Sequence, residues 1–563
     1  MSNRPLEGFG PLVSKTFKNL RLTPYPGQED LVINILESFY TKGSKNVILS
    51  ADTGTGKSII GAVVACCISE IEDEQLASFI LMNNNALVQQ YSRTFDSYGD
   101  HKFFQIKGAS NYPCDALRKF TQNKDANAES CVVKQVSDAV KSNVCGQCEY
   151  AIAKRQINRT ENLITNYSYY LVSKLWSRHL QDRCLTIFDE AHTLNDVFCS
   201  HSEIYVSEER LTKTIEEVKS YFGIEAQASI EMLVKLKNGL QLKRLNESNY
   251  TSFVTHLLGV YKDISSLFAK KAEKEQDLTQ YDRLAKMAKK YFNFGCKIGD
   301  FLEYGFDHSF EFNEETLECH IKPIFVGKMS KVILGPKNLF MSATISKEFM
   351  VQTLDLDEAE TDFVKAPSAF PKENKTVVFY QTQTLNYQGM KDPDVVSNML
   401  DSIVEIVTQH AKETRESGII LTPSFYVTDS IAYRLKKISG VNVIAHGKGA
   451  KAAECITKFK SSKTPTVLIS PSIYEGIDLP GDLSRFQIIV KAPYPSLGDA
   501  RMQKIAADYG QVYRMITLMK VIQGIGRSIR STDDWAVTYI LDKNAENLFK
   551  SGLNVWIDQF EVL

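Results

Sequence analysis

The sequence predicts an α/β fold of two parallel sheets in tandem, from two series of short β-branched runs and from the turns that close them. NVILSADTG, SFILMNN, LTIFDEAH and NLFMSAT lie in the first two thirds of the chain. TVVFY, GIILTPS, TVLISPS, FQIIVKAPYP and VTYILDKN follow. Each run is nearly continuous in apolar residues, ends in a polar or glycine-containing turn, and is separated from the next by helical spacing, the pattern of strands covered on both faces. The second series begins just after residue 365, where the two sheets are expected to meet.

The first series is stretched. About 130 residues separate the glycine-rich turn from FDEAH and about 150 separate FDEAH from MSAT, whereas connections in α/β units usually take about 2–6 residues. Two insertions are therefore expected. The first, 102–165, contains Cys114, Cys131, Cys145 and Cys148. The second, 197–325, is rich in Lys and Glu, and Leu211, Ile215, Val218 and Phe222 recur at helical spacing, so it reads as mostly helical.

Composition narrows the classes. With 563 residues, 43% apolar and 24% charged, the chain is long enough for several ordinary globular domains. Lys and Arg total 66 against 67 Asp and Glu, a formal charge of -1, so a polyanionic partner needs a local basic track. MSNRPLEGFG lacks a signal-peptide layout, and IIGAVVACCI is far shorter than the roughly 20 residues that span a bilayer. A soluble, cytoplasmic protein without a membrane partner is expected. Most of its eleven cysteines then read as small buried side chains.

The run Ala51, Asp52, Thr53, Gly54, Thr55, Gly56, Lys57, Ser58 follows a strand and opens a helix, the setting of a phosphate-binding loop. Backbone N–H groups would hold phosphate oxygens, Lys57 the terminal phosphates, and Ser58 a Mg²⁺ ion. Ala51 stands where the usual pattern has its first glycine. In FDEAH, Asp189 and Glu190 end an apolar strand, where open parallel sheets present ligands. Asp189 would hold Mg²⁺ and Glu190 would orient or deprotonate water. In QGIGRSIR, Gln523, Arg527 and Arg530 fall at i, i+4 and i+7 of a helical pattern, so they are expected on one face, the arginines meeting a γ-phosphate.

The order of P-loop, DEAH, Ser342-Ala-Thr344 and QGIGRSIR resembles the superfamily 2 helicases. SPSIYEGIDLPG (470–481), APYP (492–495), NYPC (111–114), TNYS (165–168) and YPGQ (25–28) are similar to motifs of the DinG/XPD group of iron–sulfur DNA helicases. By their intervals alone, the four cysteines suit an iron–sulfur cluster, a zinc ion or a core of thiols. The resemblance implies that Cys114, Cys131, Cys145 and Cys148 hold a [4Fe–4S] cluster. It also implies that Gln28 contacts adenine and Asp478 the nucleotide, and that His192, Ser342, Thr344, Glu475 and Gly476 couple the nucleotide site to strand contacts.

In domain terms it implies two RecA-like domains. The first comprises 1–101, 166–196 and 326–365, interrupted by an iron–sulfur insertion (102–165) and a helical arch (197–325). The second is 366–563. The implied activity is ATP- and Mg²⁺-dependent 5′→3′ movement on single-stranded and forked DNA, as a monomer, in repair, recombination or replication, with single-strand-binding or repair proteins as candidate partners. The P-loop is reached by residue 51, so no N-terminal nuclease-like domain is expected. An RNA-directed DEAH enzyme and a nucleotide-gated clamp with little unwinding are the competing readings. The segment 101–165 has ten Lys/Arg against six Asp/Glu, and Arg118, Lys119, Lys154 and Arg155 interleaved with Phe103, Phe104 and Tyr112 form its candidate strand-binding track. Lys270, Lys271, Lys289 and Lys290 in the arch read as solvated helix surface.

Overall fold

The computed structural model describes residues 8–52, 54–74, 76–96, 103–115, 118, 124–130, 147–368, 370–474, 479–529 and 533–563. Strands β1 (Asn46–Ser50), β2 (Ser78–Met82), β3 (Phe103–Gln105), β4 (Asn162–Asn166) and β5 (Leu185–Asp189) come first. A long excursion then carries β6 (Ile204–Ser207), β7 (His308–Asn313) and β8 (Glu318–Pro323), before β9 (Lys337–Ser342) and β10 (Thr361–Lys365). The first sheet has the order β10-β1-β9-β5-β2-β4-β3, with parallel pairing throughout. β1, β2 and β5 are buried at every position, which explains runs without polar alternation. Because β9 lies between β1 and β5, the turns bearing the P-loop, SAT and DEAH residues leave one sheet edge side by side.

The second sheet is formed by β11 (Lys375–Gln383), β12 (Gly418–Leu421), β13 (Asn442–Ala445), β14 (Thr466–Ser470), β15 (Phe486–Ile489), β16 (Ala536–Asp542) and β17 (Glu561–Val562). Its order is β13-β14-β12-β15-β16-β11-β17, again all parallel. The last strand brings the C-terminal segment across to the first sheet. Trp556, 1% exposed, donates its indole N–H to Ser50 Oγ at 3.0 Å, one residue before the P-loop.

The excursion between β5 and β9 is not wholly helical. Helices Glu208–Phe222, Gln227–Gln241, Tyr250–Lys274 and Leu278–Tyr304 are joined by an antiparallel sheet of order β6-β8-β7. β8 alternates buried and half-buried side chains, a period of two that the surrounding helical spacing conceals. The two longest helices, of 25 and 27 residues, form an antiparallel hairpin. Tyr261 meets Phe294 at 4.8 Å and Phe268 stacks on Tyr291 at 5.5 Å along its apolar seam.

Three sets of contacts anchor this hairpin. Trp176 donates to Asp300 Oδ2 at 2.7 Å. Lys289 pairs with Glu129 of the cysteine-bearing insertion at 3.1 Å. At the base, Arg501 of helix Ala500–Asp508 is 8% exposed and donates to Ile324 O at 3.0 Å and Asp196 Oδ1 at 3.0 Å. Lys322–Asp499 (2.9 Å) and Lys504–Asp307 (2.6 Å) flank that arginine. Among the described residues no helix is long and apolar enough to cross a membrane.

Burial raises the Asp300 carboxyl to about 6, with Glu303 adding to the shift and the Trp176 N–H opposing it. A carboxyl raised in the fold destabilises once ionised, so stability falls as pH rises from the ordinary carboxylate range through about 6. Asp300→Asn keeps an acceptor for Trp176. Thermal melts should show the variant more stable than the parent above pH 6, with the gap closing toward pH 4.

Candidate active site between the two sheets

β1 runs into the loop at Ala51, which is 1% exposed. Gly54 (φ +92°) and Gly56 (φ +75°) turn the chain through the left-handed region, where side chains with a Cβ are strained. Gly56 is required for a second reason, because a Cβ there would lie 2.4 Å from Gln28 Nε2. Ala51 is not among the positive-φ residues, so its methyl group is accommodated without backbone strain. Helix Lys57–Glu72 starts immediately after Gly56, aiming its unpaired N–H groups into the loop.

In this form the loop is closed on itself. Lys57 Nζ donates to Ala51 O at 3.1 Å and to Asp52 O at 3.3 Å. Thr55 Oγ1 donates to Asp52 O at 2.7 Å. Gln28, 2% exposed, donates to Thr55 O at 2.7 Å and accepts from Tyr25 N at 2.9 Å, so its amide braces the loop. Ser58 is half-buried at the first helical turn, its carbonyl accepting from the Tyr91 hydroxyl. Thr53 lies outside the described residues.

Across the sheet, β5 ends at Asp189, 7% exposed, whose Oδ1 accepts from Glu190 N at 3.0 Å. Burial pushes the Asp189 carboxyl up, Glu190 pushes in the same direction and nearby Lys57 opposes both. Only β9 separates β1 from β5, which sets the P-loop and the DEAH turn beside one another. A divalent cation there would favour the carboxylate, and Asp189 with Ser58 supplies the hard oxygens such an ion takes. Glu190 sits at φ +53°, a left-handed conformation uncommon for a non-glycine residue.

From Glu190 a hydrogen-bonded chain leads to the second sheet. Ser342 Oγ donates to Glu190 Oε2 at 3.4 Å and lies 2.7 Å from His192 Nδ1. The two amide hydrogens of Gln523 go to His192 Nε2 at 3.0 Å and Thr344 Oγ1 at 2.9 Å. With Nε2 accepting, the ring proton is on Nδ1 and is donated to Ser342. Five predicted site residues, Glu190, His192, Ser342, Thr344 and Gln523, are thus brought into one network.

Helix Gly510–Ile525 ends before Arg527, because Gly524 and Gly526 remove the side-chain support of its last turn and Gly526 caps it. Arg527 is in the turn beyond, half-buried, with Nε donating to Gln523 O at 3.0 Å, so the two residues stay adjacent past the helix end. Arg530, Glu475, Gly476 and Asp478 lie outside the described residues.

So do Cys131, Cys145 and Lys119. Cys114 is buried and Cys148 half-buried. Tyr112 and Tyr150, each two residues from one of these cysteines, have ring centroids 5.3 Å apart, so the two segments are neighbours. Among the described residues no group of three or more His, Cys, Asp or Glu is placed to hold a metal. Lys154, Arg155 and Arg118 are exposed, whereas Phe103 stacks on Phe95 at 5.0 Å and Phe104 packs on the core. In the arch, Lys290 pairs with Glu217 at 3.0 Å and Lys271 donates to Tyr221 O at 2.7 Å. Missed by the sequence reading are Ser368 and Lys375, which donate to Asp52 Oδ2 at 2.7 Å and 3.1 Å. No motif spacing links residue 52 to residue 375.

Two tandem RecA-like domains, with a P-loop and paired carboxylates on the first and Gln523 reaching in from the second, define a superfamily 2 P-loop motor. Residues 407–559 match the helicase C-terminal domain family, and residues 21–232 match the family of the type III restriction enzyme res subunit. The chain is 19% identical over 472 residues to the ATP-dependent DNA helicase YoaA of Haemophilus influenzae, covering 75% of this chain and 71% of that protein. It is 24% identical over 324 residues to the 3′-5′ exonuclease DinG of Bacillus subtilis, covering 52% of this chain and 34%, about a third, of that protein. The solved structure of S. tokodaii Xpd4 superposes with a TM-score of 0.56 at 15% identity, covering 96% of this chain and all of that one. In its two domain matches, its relatives and its fold the chain is similar to the DinG/XPD-type superfamily 2 helicases.

The contact between Gln523 and His192 yields a quantitative expectation. Gln523→Ala and His192→Ala should each slow strand-stimulated nucleotide hydrolysis, and the double variant should be less impaired than the product of the two. Steady-state kinetics of the cycle should give a coupling of about 0.5–3 kcal/mol.

Proposed function

We propose that this chain is an ATP-dependent DNA helicase that moves 5′→3′ on single-stranded DNA and separates forked duplexes in repair, recombination or replication. The observation that carries the reading is the set of hydrogen bonds from Ala51 N of the P-loop to Ser342 O, and from Glu190 of the DEAH turn through Ser342 and His192 to Gln523 of the second sheet. A hydrolytic site bonded across two sheets can convert a change at a phosphate into a change of sheet position. The domain division read from the sequence is part of this proposal.

In this mechanism the carbonyls of Ala51 and Asp52 orient the Lys57 ammonium, which donates to the terminal phosphates of ATP. Ser58 and Asp189 would hold Mg²⁺, which supplies charge neutralisation at those phosphates. Glu190 accepts the proton of the attacking water and is kept in orientation by Ser342, itself fixed by His192. Arg527 and Arg530 are offered to charge developing on the γ-phosphate. Gln523 holds the second domain to this geometry until phosphate leaves. Asp478, Glu475 and Gly476 are assigned to the facing surface of the second domain.

The exposed Lys154, Arg155 and Arg118 provide phosphate contacts on the cysteine insertion, with single-strand-binding or repair proteins as prospective partners and a monomer as the working unit. Cys114, Cys131, Cys145 and Cys148 would hold a [4Fe–4S] cluster, whose metal–thiolate bonds stiffen an insertion with little core of its own. Protein purified anaerobically should contain iron and acid-labile sulfide with broad visible absorption. Cys114→Ser or Cys148→Ser should lose that signature, while zinc without sulfide in the parent protein would assign the site to zinc.

Strand displacement on duplexes with a 5′ DNA tail, a 3′ DNA tail or a 5′ RNA tail tests the activity. Separation is expected only from the 5′ DNA tail, and Lys57→Ala should abolish it along with ATP hydrolysis. Separation from the RNA tail would give an RNA-directed enzyme. Strand-stimulated hydrolysis without displacement would give a nucleotide-gated clamp.

A further inference from the structure

We propose that Lys375 is a positioning residue for the phosphate loop, tying Asp52 to the first strand of the second sheet so that loop and sheet move together. The proposal rests on the reading of the P-loop as an ATP site. Lys375 is the first residue of β11 and is 5% exposed, and its ammonium lies 3.1 Å from Asp52 Oδ2 and 2.8 Å from Ser368 Oγ. Ser368 donates in turn to the same carboxylate oxygen at 2.7 Å. The rings of Phe560 and Phe370 stand 5.1 Å and 5.8 Å from the ammonium, so the charge is enclosed by a carboxylate, a hydroxyl and two aromatic faces. A lysine this enclosed does not sweep through solvent. It holds one geometry, and that geometry includes the second residue of the P-loop.

Asp52 is held from both sides. Its side chain belongs to Lys375 and Ser368, while its carbonyl accepts from Lys57 Nζ at 3.3 Å and from Thr55 Oγ1 at 2.7 Å. Lys375, Ser368, Thr55 and Lys57 therefore fix one residue of the loop from several directions, two of them from beyond the first sheet. Through β11, which pairs with β16 and β17, occupancy of the loop is felt by the second sheet at a point remote in sequence from Gln523.

The test is a charge-pair cycle on the full-length chain, read by fluorescently labelled ADP binding and by ATP hydrolysis with and without a single-stranded DNA oligonucleotide. Lys375→Met and Asp52→Asn should each weaken ADP binding by about fivefold or more, the size of a typical coupling between sites. Each should also lower strand-stimulated kcat, since the loop no longer follows the second sheet. Lys375→Arg, which keeps the ion pair, should restore both values. The double variant should match either single one and, leaving no unpaired buried charge, keeps the test valid if a single variant fails to fold. Affinities equal to wild type, or effects that multiply in the double variant, would overturn the role of Lys375 alone. A wild-type chain that binds no nucleotide would overturn the ATP-site reading as well.

Discussion

The side-chain amide of Gln523 has two hydrogens, and the fold brings one to the turn after β5 and the other to the turn after β9. That geometry depends on β9 lying between β1 and β5, so that the P-loop, SAT and DEAH turns emerge together. It also requires the second sheet to present helix Gly510–Ile525 end-on, with Gln523 two residues from the helix terminus. Each such hydrogen bond contributes about 0.5–1.5 kcal/mol net, whereas burying one large apolar side chain contributes about 1.5–3 kcal/mol. The seam is therefore weak beside the cores on either side.

Other contacts between the same two units are of a different kind. Trp556 is fully buried against the first sheet, although its segment continues into an edge strand of the second. Arg501 places its guanidinium donors on Ile324 O and Asp196 Oδ1 in a site almost closed to water. Removing either side chain would leave a cavity or unpaired buried acceptors, penalties well above that of a single exposed bond. The molecule thus has a labile contact at the catalytic turns and firm ones at its margins, the arrangement that favours rotation about a fixed edge over separation.

Much of this was legible in the residues themselves. Strands buried on both faces wrote β1, β5 and β9 as apolar runs, and the turns after them held recognisable chemistry. The course of the chain beyond Ile525 was not legible, because a helical pattern with two glycines near its end reads as periodic until the terminus is seen. β7 and β8 were concealed by the helices on either side, whose longer spacing dominates any window wide enough to detect it. Lys375 carried no signal at all, since a lysine opening a strand is ordinary until the fold carries it to Asp52. Gln28 shows another limit. Its place beside the loop was readable, but that its amide braces Thr55 O and Tyr25 N follows only from coordinates.

The helix pair Ala500–Asp508 and Gly510–Ile525 joins the two regimes. One helix carries Arg501, locked into the base of the arch, and the next carries Gln523, bonded at the catalytic turns; only Tyr509 separates them. Between them, Tyr509 packs on Phe325 with centroids 4.8 Å apart, again at the arch base. A displacement of Gly510–Ile525 large enough to release Gln523 must either shear Arg501 from its buried acceptors or carry the base of the arch with it. The first breaks charge-assisted bonds in a nearly dry site. The second loads the bond from Trp176 to Asp300 and, because Lys289 ties the long hairpin to Glu129, passes the strain to the cysteine-bearing insertion.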